Sequence, residues 1–244
     1  MEIKQIALIT GVGKETGIGF ETARQLATLG YRVIITSRKK ETADRLAGLL
    51  IGESLDIIPM ALDVANEDVV KAVAAEVDQR FEKLDVLINN ATTFPDQFKT
   101  TNVDLADIKS VFNNNFLGAW GMIKYFTPLL KKSEHPRIVN VSSGSGSYDG
   151  EQYSLLNPWR GIISAYSISK LALNGLTLKA AIDLKDDHIL VNAATPGLTA
   201  TYSALAAFGG RPVSEGAKSI VFAATLPKGG PTGKFFKDGK EIGW

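Results

Sequence analysis

The sequence predicts an α/β fold in which helices cover both faces of a doubly wound parallel β-sheet. Short, nearly continuous apolar runs alternate along the chain with longer stretches whose apolar residues recur at helical spacing. A strand buried on both faces is apolar throughout, and a parallel sheet needs helical crossovers, so this alternation favours a covered parallel sheet. Because the sequence has no Gly/Ser/Pro-rich linker, repeat or second apolar core, residues 1–244 are predicted to form a single domain.

The first half supplies four predicted strands, at residues 6–9, 32–36, 56–62 and 84–88. Phe20, Ala23 and Leu26 have the spacing of a helix that Gly30 stops, and a polar helix follows the second strand to about Leu50. Asn66 is a predicted N-cap because its side chain can accept hydrogen bonds from the first free N–H groups of a helix. The apolar face of that helix is Val69, Val70, Val73, Val77 and Phe81.

The second half continues the alternation. A long helix is predicted over residues 105–130, a strand over 137–141, a helix over 165–184 and a strand over 189–193. A further helix follows Ser214, and a last short strand lies near residues 235–236.

Composition excludes several function classes. There are 27 basic and 26 acidic residues, so a net charge of +1 gives no reason to expect nucleic acid or an anionic membrane as a partner. No cysteine is present, which excludes disulfides, thiolate metal sites and cysteine nucleophiles and fits a cytoplasmic protein. No apolar stretch is long enough to cross a bilayer, and no Asp/His/Glu cluster has metal-ligand spacing. His135 and His188 are predicted to lie in surface loops.

A glycine-rich loop, TGVGKETGIG at residues 10–19, links the first strand to the first helix. Glycines let the backbone approach a pyrophosphate closely, and the following helix N-terminus offers free N–H groups and a favourable dipole. The loop is not a P-loop, because Glu15 stands where a Ser or Thr would hold magnesium. Its position predicts nucleotide binding and a Rossmann-type sheet.

This loop resembles the Thr-Gly-x-x-x-Gly-x-Gly motif of short-chain dehydrogenases/reductases, except that five residues rather than three separate Gly11 from Gly17. Asn89-Asn90-Ala91 resembles the family's Asn-Asn-Ala-Gly motif, with Thr92 replacing the glycine. The ending, residues 230–244, and the long Ser-to-Tyr spacing resemble those of carbonyl reductase-like members. The longer loop also resembles that of enoyl reductases of the same superfamily. We expect Lys14 or Thr16 to reach a cofactor phosphate, since both precede the helix N-terminus.

The end of the second strand favours NADP(H) over NAD(H). An NAD-preferring enzyme usually has Asp or Glu here to bind the adenosine ribose hydroxyls, whereas this chain has Ser37 followed by Arg38. A carboxylate would repel a 2′-phosphate, and a guanidinium binds one with its planar fork. The alternative is that Arg38 and the following lysines are only the solvent-exposed basic start of a helix.

Tyr166 and Lys170 match the family's Tyr-x-x-x-Lys motif, and spacing of i,i+4 places both side chains on one helix face. By the same resemblance Ser143 ends the preceding strand as a catalytic serine, and Asn115 matches the asparagine of the long helix. The four implied catalytic residues are therefore Asn115, Ser143, Tyr166 and Lys170. The implied cofactor-binding residues are Gly11, Lys14, Gly17, Ile18, Gly19, Ser37, Arg38, Asp63, Val64, Asn90, Ala91, Tyr166, Lys170, Pro196, Gly197, Thr199 and Thr201.

These residue types suit carbonyl reduction, which needs a hydride at carbon and a proton at oxygen. A tyrosine pKa of about 10 is too high for easy proton exchange at neutral pH, and a nearby ammonium is expected to lower it. The resemblance implies that Lys170 also holds the nicotinamide ribose, that Ser143 bonds the substrate oxygen, and that Asn115 holds a water leading from Lys170 to solvent. The predicted function is thus NADP(H)-dependent reduction of a ketone or aldehyde, or the reverse oxidation.

Two alternatives remain open: a non-catalytic regulatory protein that senses NADP(H), and an enoyl reductase-like activity. The predicted partner is a small carbonyl or alcohol substrate, whose identity the sequence does not indicate. The apolar segment of residues 148–163, which includes Trp159, is expected to wall a substrate pocket. The chain is either a monomer or a homo-oligomer.

Overall fold

A computed structural model describes residues 4–94, 99–149, 154–157 and 163–244. Its strands are β1 (Ile6–Ile9), β2 (Arg32–Ser37), β3 (Ile57–Ala61), β4 (Val86–Asn89), β5 (Arg137–Val141), β6 (Leu190–Ala194), β7 (Phe235–Lys237) and β8 (Lys240–Ile242). Its helices are α1 (Ile18–Thr28), α2 (Lys40–Gly52), α3 (Glu67–Phe81), α4 (Leu105–Phe112), α5 (Gly118–Leu130), α6 (Ser164–Asp183), α7 (Ser203–Ala207) and α8 (Val213–Ala224).

The described strands form one sheet in the order β3-β2-β1-β4-β5-β6-β7-β8. Every neighbouring pair is parallel except β7 and β8, which are antiparallel. The order reverses between β1 and β4, and in such sheets ligands bind beyond the carboxyl ends of the strands at this switch point. The predicted doubly wound Rossmann-type fold is confirmed.

Two apolar cores lie on opposite faces of the sheet because successive side chains of a strand point to opposite sides. From β1, Leu8 packs in the core beneath α3, α5 and α6, whereas Ala7 and Ile9 pack in the core beneath α1, α2 and α8. Both faces are covered, which explains why the strands read as continuous apolar runs.

Most predicted elements lie within two residues of their predicted ends. Asn66 caps α3 as expected, with its side-chain oxygen accepting hydrogen bonds from the N–H groups of Asp68 and Val69. Gly30 has φ +94°, the left-handed conformation that suits the residue after a helix. Pro59 is tolerated because β3 is an edge strand.

One prediction is wrong in an informative way. The helix expected over residues 105–130 is interrupted by a π-helical turn, Asn113–Leu117, which separates α4 from α5. A π turn adds one residue to a helix, and such turns are frequent at functional sites. The turn carries Asn115 at its centre. Helix α7 and strand β8 were not predicted from the sequence.

Candidate active site and cofactor cleft

A cleft of about 1150 Å³ runs along the carboxyl ends of the strands. It is lined by the loops after β1, β2, β3, β4, β5 and β6 and by the start of α6. Of the residues implied by the resemblance, only Asp63 and Asn115 do not line it. The fold therefore gathers both ends of the predicted site, which are distant in sequence, into one cavity.

The glycine loop packs tightly against the loop after β4. Gly11 has φ +70°, and a Cβ there would lie 2.5 Å from the Cα of Ala91. A Cβ on Gly19 would lie 2.5 Å from the side-chain nitrogen of Asn90. Thr10 completes this junction, because its hydroxyl oxygen accepts hydrogen bonds from the N–H groups of Asn90 at 3.0 Å and Ala91 at 2.9 Å. The two glycines are thus needed for close approach of the two loops.

The lengthened part of the loop reaches across the cleft to the segment after β6. The ammonium of Lys14 donates to the carbonyl of Thr201 at 3.1 Å and lies 3.1 Å from the ring centroid of Tyr202. The hydroxyl of Thr16 donates to the same carbonyl at 2.9 Å. Lys14 lines the cleft together with Gly17 and Ile18, where α1 begins without a side-chain cap. That either residue reaches a phosphate stays a prediction.

At the end of β2, Ser37 is 8% exposed and Arg38 lies at the rim of the cleft, next to Lys39 and Thr42. Thr42 was not singled out from the sequence, because its position one turn into α2 carries no motif. No carboxylate lines the described part of the cleft, so nothing there would repel a phosphate.

Asp63 and Val64, two implied cofactor-binding residues that follow β3, differ in their positions. Val64 lines the cleft, whereas Asp63 does not. The carboxylate of Asp63 instead accepts a hydrogen bond of 3.1 Å from the N–H of Ala65 and so shapes the turn into α3.

Tyr166, the predicted proton donor, and Ser143 meet at the other end of the cleft. Tyr166 is half-buried in the first turn of α6 and is hydrogen-bonded to the hydroxyl of Ser143, which follows β5. The Ser143 oxygen also accepts hydrogen bonds from Ser145, from its N–H at 3.2 Å and from its hydroxyl at 3.0 Å. Ser145 is buried, lines the cleft and was not predicted as a site residue.

Lys170 lies one turn after Tyr166 and is only 3% exposed. Its ammonium donates to the carbonyl of Val141 at 2.9 Å and lies 5.6 Å from the centroid of the Tyr166 ring. Burial lowers the pKa of Lys170 to about 7, because the charged form is poorly solvated there. Lys170 is therefore only partly cationic at neutral pH.

The pKa of Tyr166 shifts in the direction opposite to the one expected. Burial raises this pKa above its ordinary value of 10, and the hydrogen bond to Ser143 opposes the increase. The expected lowering by Lys170 is not found, because the buried lysine is itself easily deprotonated and donates its hydrogen bond to a backbone carbonyl. Stabilisation of the phenolate in this arrangement comes from Ser143.

Asn115 is 1% exposed and lies behind the cleft, where it joins two elements of the site. Its amide oxygen accepts a hydrogen bond from the N–H of Thr93 at 2.7 Å, and its amide nitrogen donates to the Thr93 carbonyl and the Ser169 hydroxyl, each at 3.0 Å. The side chain therefore fastens the loop after β4 to α6. Its implied role in holding a water stays a prediction.

The segment after β6 closes the catalytic end of the cleft. Pro196, Gly197, Thr199 and Thr201 line it, and Gly197 has φ +67°. The hydroxyl of Thr199 donates to the carbonyls of Pro196 at 3.0 Å and Gly197 at 3.2 Å, which folds the segment into a tight turn.

Apolar side chains form the walls near Tyr166. The ring of Phe94 lies 4.7 Å from that of Tyr166, centroid to centroid, at an interplanar angle of 50°. Ile163, Leu198 and Leu205 also line this end. Ile163 is the last residue of the segment predicted to wall the pocket. Phe94, Leu198 and Leu205 were not singled out from the sequence, because isolated apolar residues give no pattern. Trp159 and most of the predicted pocket-forming segment lie outside the described residues.

No group of three or more His, Cys, Asp or Glu side chains among the described residues could hold a metal ion. No helix among those residues is both long enough and apolar enough to span a membrane.

Comparison with known proteins agrees with the resemblance seen in the motifs. A family model described as short chain dehydrogenase matches residues 5–207. The short-chain dehydrogenase anuI of Penicillium roqueforti (strain FM164) is 35% identical, with 99% of this chain and 98% of that protein covered. The (+)-neomenthol dehydrogenase of Arabidopsis thaliana is 32% identical, with 96% of both chains covered.

Among solved structures, ElxO with NADP bound superimposes with a TM-score of 0.81 at 30% sequence identity, and 96% of each chain is covered. The family model and these relatives agree on the family, and the superposition with ElxO agrees with the Rossmann-type fold described above. The chain belongs to the short-chain dehydrogenase/reductase family.

Proposed function

We propose that this protein is an NADP(H)-dependent oxidoreductase that reduces a ketone or aldehyde to an alcohol, or catalyses the reverse oxidation. The observation that carries the proposal is the convergence of Ser143, Tyr166 and Lys170 on a cleft that also contains the glycine loop and Arg38. On this account residues 1–244 act as one dinucleotide-binding catalytic domain.

The described residues fit NADP(H). The cations Lys14, Arg38, Lys39 and Lys237 line the cleft, and no carboxylate is among the described lining residues. This arrangement suits a ligand with several phosphate charges. The start of α1 has no side-chain cap, so its N–H groups are available to a pyrophosphate. ElxO, at 30% identity, has NADP bound, which supports the same cofactor here.

The two ends of the cleft are spaced for a dinucleotide. In the sheet, β2 and β6 are separated by β1, β4 and β5, so their carboxyl ends lie about 19 Å apart at ordinary inter-strand spacing. Ser37 and Arg38 follow β2 and would bind the adenosine 2′-phosphate. Pro196 to Thr201 follow β6 and would hold the nicotinamide beside Tyr166.

When bound, NADPH supplies the hydride. Tyr166 donates its hydroxyl proton to the substrate oxygen as negative charge develops there. Lys170 holds the ribose hydroxyls and, with a pKa of about 7, exchanges protons readily at neutral pH. Ser143 donates a hydrogen bond to the same substrate oxygen and so stabilises the developing charge.

Neutral carbonyl compounds fit the catalytic end best. Among the described residues, the apolar walls at this end are Phe94, Ile163, Leu198 and Leu205, which provide no partner for a charged substituent. The name of the Arabidopsis relative, (+)-neomenthol dehydrogenase, is that of an enzyme for a neutral alcohol and supports this class.

The proposal is tested by NADPH oxidation with a panel of neutral ketones and aldehydes, and with NADH as the comparison cofactor. We expect turnover with several members of the panel and a lower kcat/KM with NADH. Failure to bind NADPH in a fluorescence titration would overturn the proposal. Binding without turnover on any carbonyl would favour a regulatory role.

A further inference from the structure

The guanidinium of Arg211 connects the segment after β6 to two other elements. Its Nε donates to the carbonyl of Pro196 at 2.8 Å, one terminal nitrogen donates to the carboxylate of Asp238 at 2.6 Å, and the other lies 3.5 Å from the Ser219 hydroxyl. The side chain is 25% exposed. Arg211 itself lies just before α8 and carries none of the family motifs.

The planar guanidinium also covers Gly197. A Cβ built on Gly197 would lie 3.5 Å from the Nε of Arg211 and 3.6 Å from its Cζ, which is ordinary van der Waals contact. Gly197 has no side chain with which to anchor itself, and its left-handed conformation is held by its surroundings. Arg211 therefore packs against the same turn whose Pro196 carbonyl it binds.

The backbone of Arg211 holds the next part of the segment. Its N–H donates to the carbonyl of Leu198 at 3.0 Å, and its carbonyl accepts from the N–H of Ala200 at 2.9 Å. Residues 196–200 are thus held by one residue through both its main chain and its side chain.

The other side of Arg211 is fixed by the sheet and by α8. Asp238 lies in the turn between β7 and β8 at φ +53°. The Ser219 hydroxyl of α8 accepts a hydrogen bond from the Asp238 N–H at 2.9 Å and donates to its carboxylate at 3.1 Å. An ion pair held in place this way loses less side-chain entropy than an isolated surface pair.

We propose that Arg211 is a positioning residue that fixes the Pro196–Gly197 turn for the nicotinamide end of the cofactor. This inference rests on the proposed function. Because β2 and β6 lie about 19 Å apart in the sheet, a looser turn after β6 should weaken contacts with the nicotinamide half and leave the adenosine half unaffected.

The test compares NADPH with 2′,5′-ADP, which contains only the adenosine half. Arg211→Lys keeps a cation for Asp238 but loses the planar group that bonds Pro196 and covers Gly197. We expect its NADPH Kd to rise about tenfold, as for loss of a charged hydrogen bond, its 2′,5′-ADP Kd to stay within about twofold, and its kcat to fall. Arg80→Lys, an exposed change on α3, should alter none of these.

Asp238→Asn provides a second variant if Arg211→Lys does not fold. It keeps the bond from Nε to Pro196 but removes the ion pair, so we expect a smaller NADPH effect with the same sparing of 2′,5′-ADP. Unchanged NADPH affinity in the variants, or equal weakening of both ligands, overturns the inference alone. Wild-type protein that binds neither ligand overturns the proposed function, and the inference with it.

Discussion

The Ser145 hydroxyl donates a hydrogen bond of 3.0 Å to the hydroxyl oxygen of Ser143, which also accepts one from the Ser145 N–H. A serine oxygen has two acceptor positions and one proton to donate. Because Ser145 occupies both acceptor positions, the Ser143 proton is left to point toward Tyr166 or a substrate oxygen. A neighbouring residue thereby sets the direction of the serine dipole at the site of developing charge.

Removing the Ser145 hydroxyl is expected to slow turnover without abolishing it. Ser145→Ala leaves one acceptor position of Ser143 open, so the Ser143 hydroxyl loses its fixed direction. Loss of one neutral hydrogen bond, about 1 kcal/mol, predicts a fall in kcat of roughly fivefold. The control is Ser133→Ala, which removes a hydroxyl bonded to Asp85 beyond the opposite ends of the strands. Equal kcat values for Ser145→Ala and wild type would show that Ser143 needs no such direction.

The cofactor preference is expected to depend on Arg38. Arg38→Ala should weaken NADPH binding by about 1.5–3 kcal/mol, the usual value of a hydrogen bond to a charged group, and should leave NADH binding nearly unchanged. Fluorescence titration of both cofactors measures the difference. Arg80→Ala is the control, because Arg80 is an exposed arginine on α3 that pairs with Glu76 at 2.7 Å and does not line the cleft. A similar loss for NADPH and NADH would contradict a 2′-phosphate contact.

Lys170 is expected to make stability depend on pH. Its pKa is about 7 in the folded protein and about 10.4 unfolded, so between these values the unfolded chain binds more protons and folding becomes more favourable as pH rises. Below pH 7 the penalty for burying the cation is fully present.

The measurement is the free energy of unfolding of wild type minus that of Lys170→Met, from pH 7.5 to 9.5. This difference should rise in favour of wild type by about 1.4 kcal/mol per pH unit. Above pH 10, the ordinary pKa of tyrosine, the raised pKa of Tyr166 makes the free energy of unfolding fall as pH rises. The measurement therefore stops at pH 9.5. A pH-independent difference would mean that Lys170 keeps its charge in the folded protein.

The sequence predicted the sheet well because its signals are local and repeated. Strands such as β1 are apolar at every position, and glycines and caps mark the helix ends. The π turn at Asn113–Leu117 was not predicted, because the apolar spacing continues through it. Within the turn Asn115 bonds to Thr93 and Ser169, which are remote in sequence. Strand β8 is too short and too polar to stand out.

Site residues that belong to sequence motifs were predicted, whereas site residues that act through contacts remote in sequence were missed. Ser143, Tyr166 and Lys170 follow a spacing pattern, and the fold brings them to one cleft. Arg211 acts on Pro196 through a backbone carbonyl, which no residue pattern encodes. The direction of the Tyr166 pKa shift depends on burial, which spacing alone does not give.

Tyr166 is the proton donor of the proposed mechanism. Tyr166→Phe tests this role because the change keeps the ring that packs against Phe94 and removes only the hydroxyl. NADPH affinity should stay within about twofold, since the proposed contact of Lys170 with the ribose is kept. Tyr125→Phe, on α5 and bonded to Glu67, is the control for losing a tyrosine hydroxyl elsewhere. The deciding measurement is kcat of Tyr166→Phe on a carbonyl that wild type reduces well. We predict a fall of roughly 10²–10⁴-fold, the usual contribution of general acid catalysis, and near-normal turnover would contradict the mechanism.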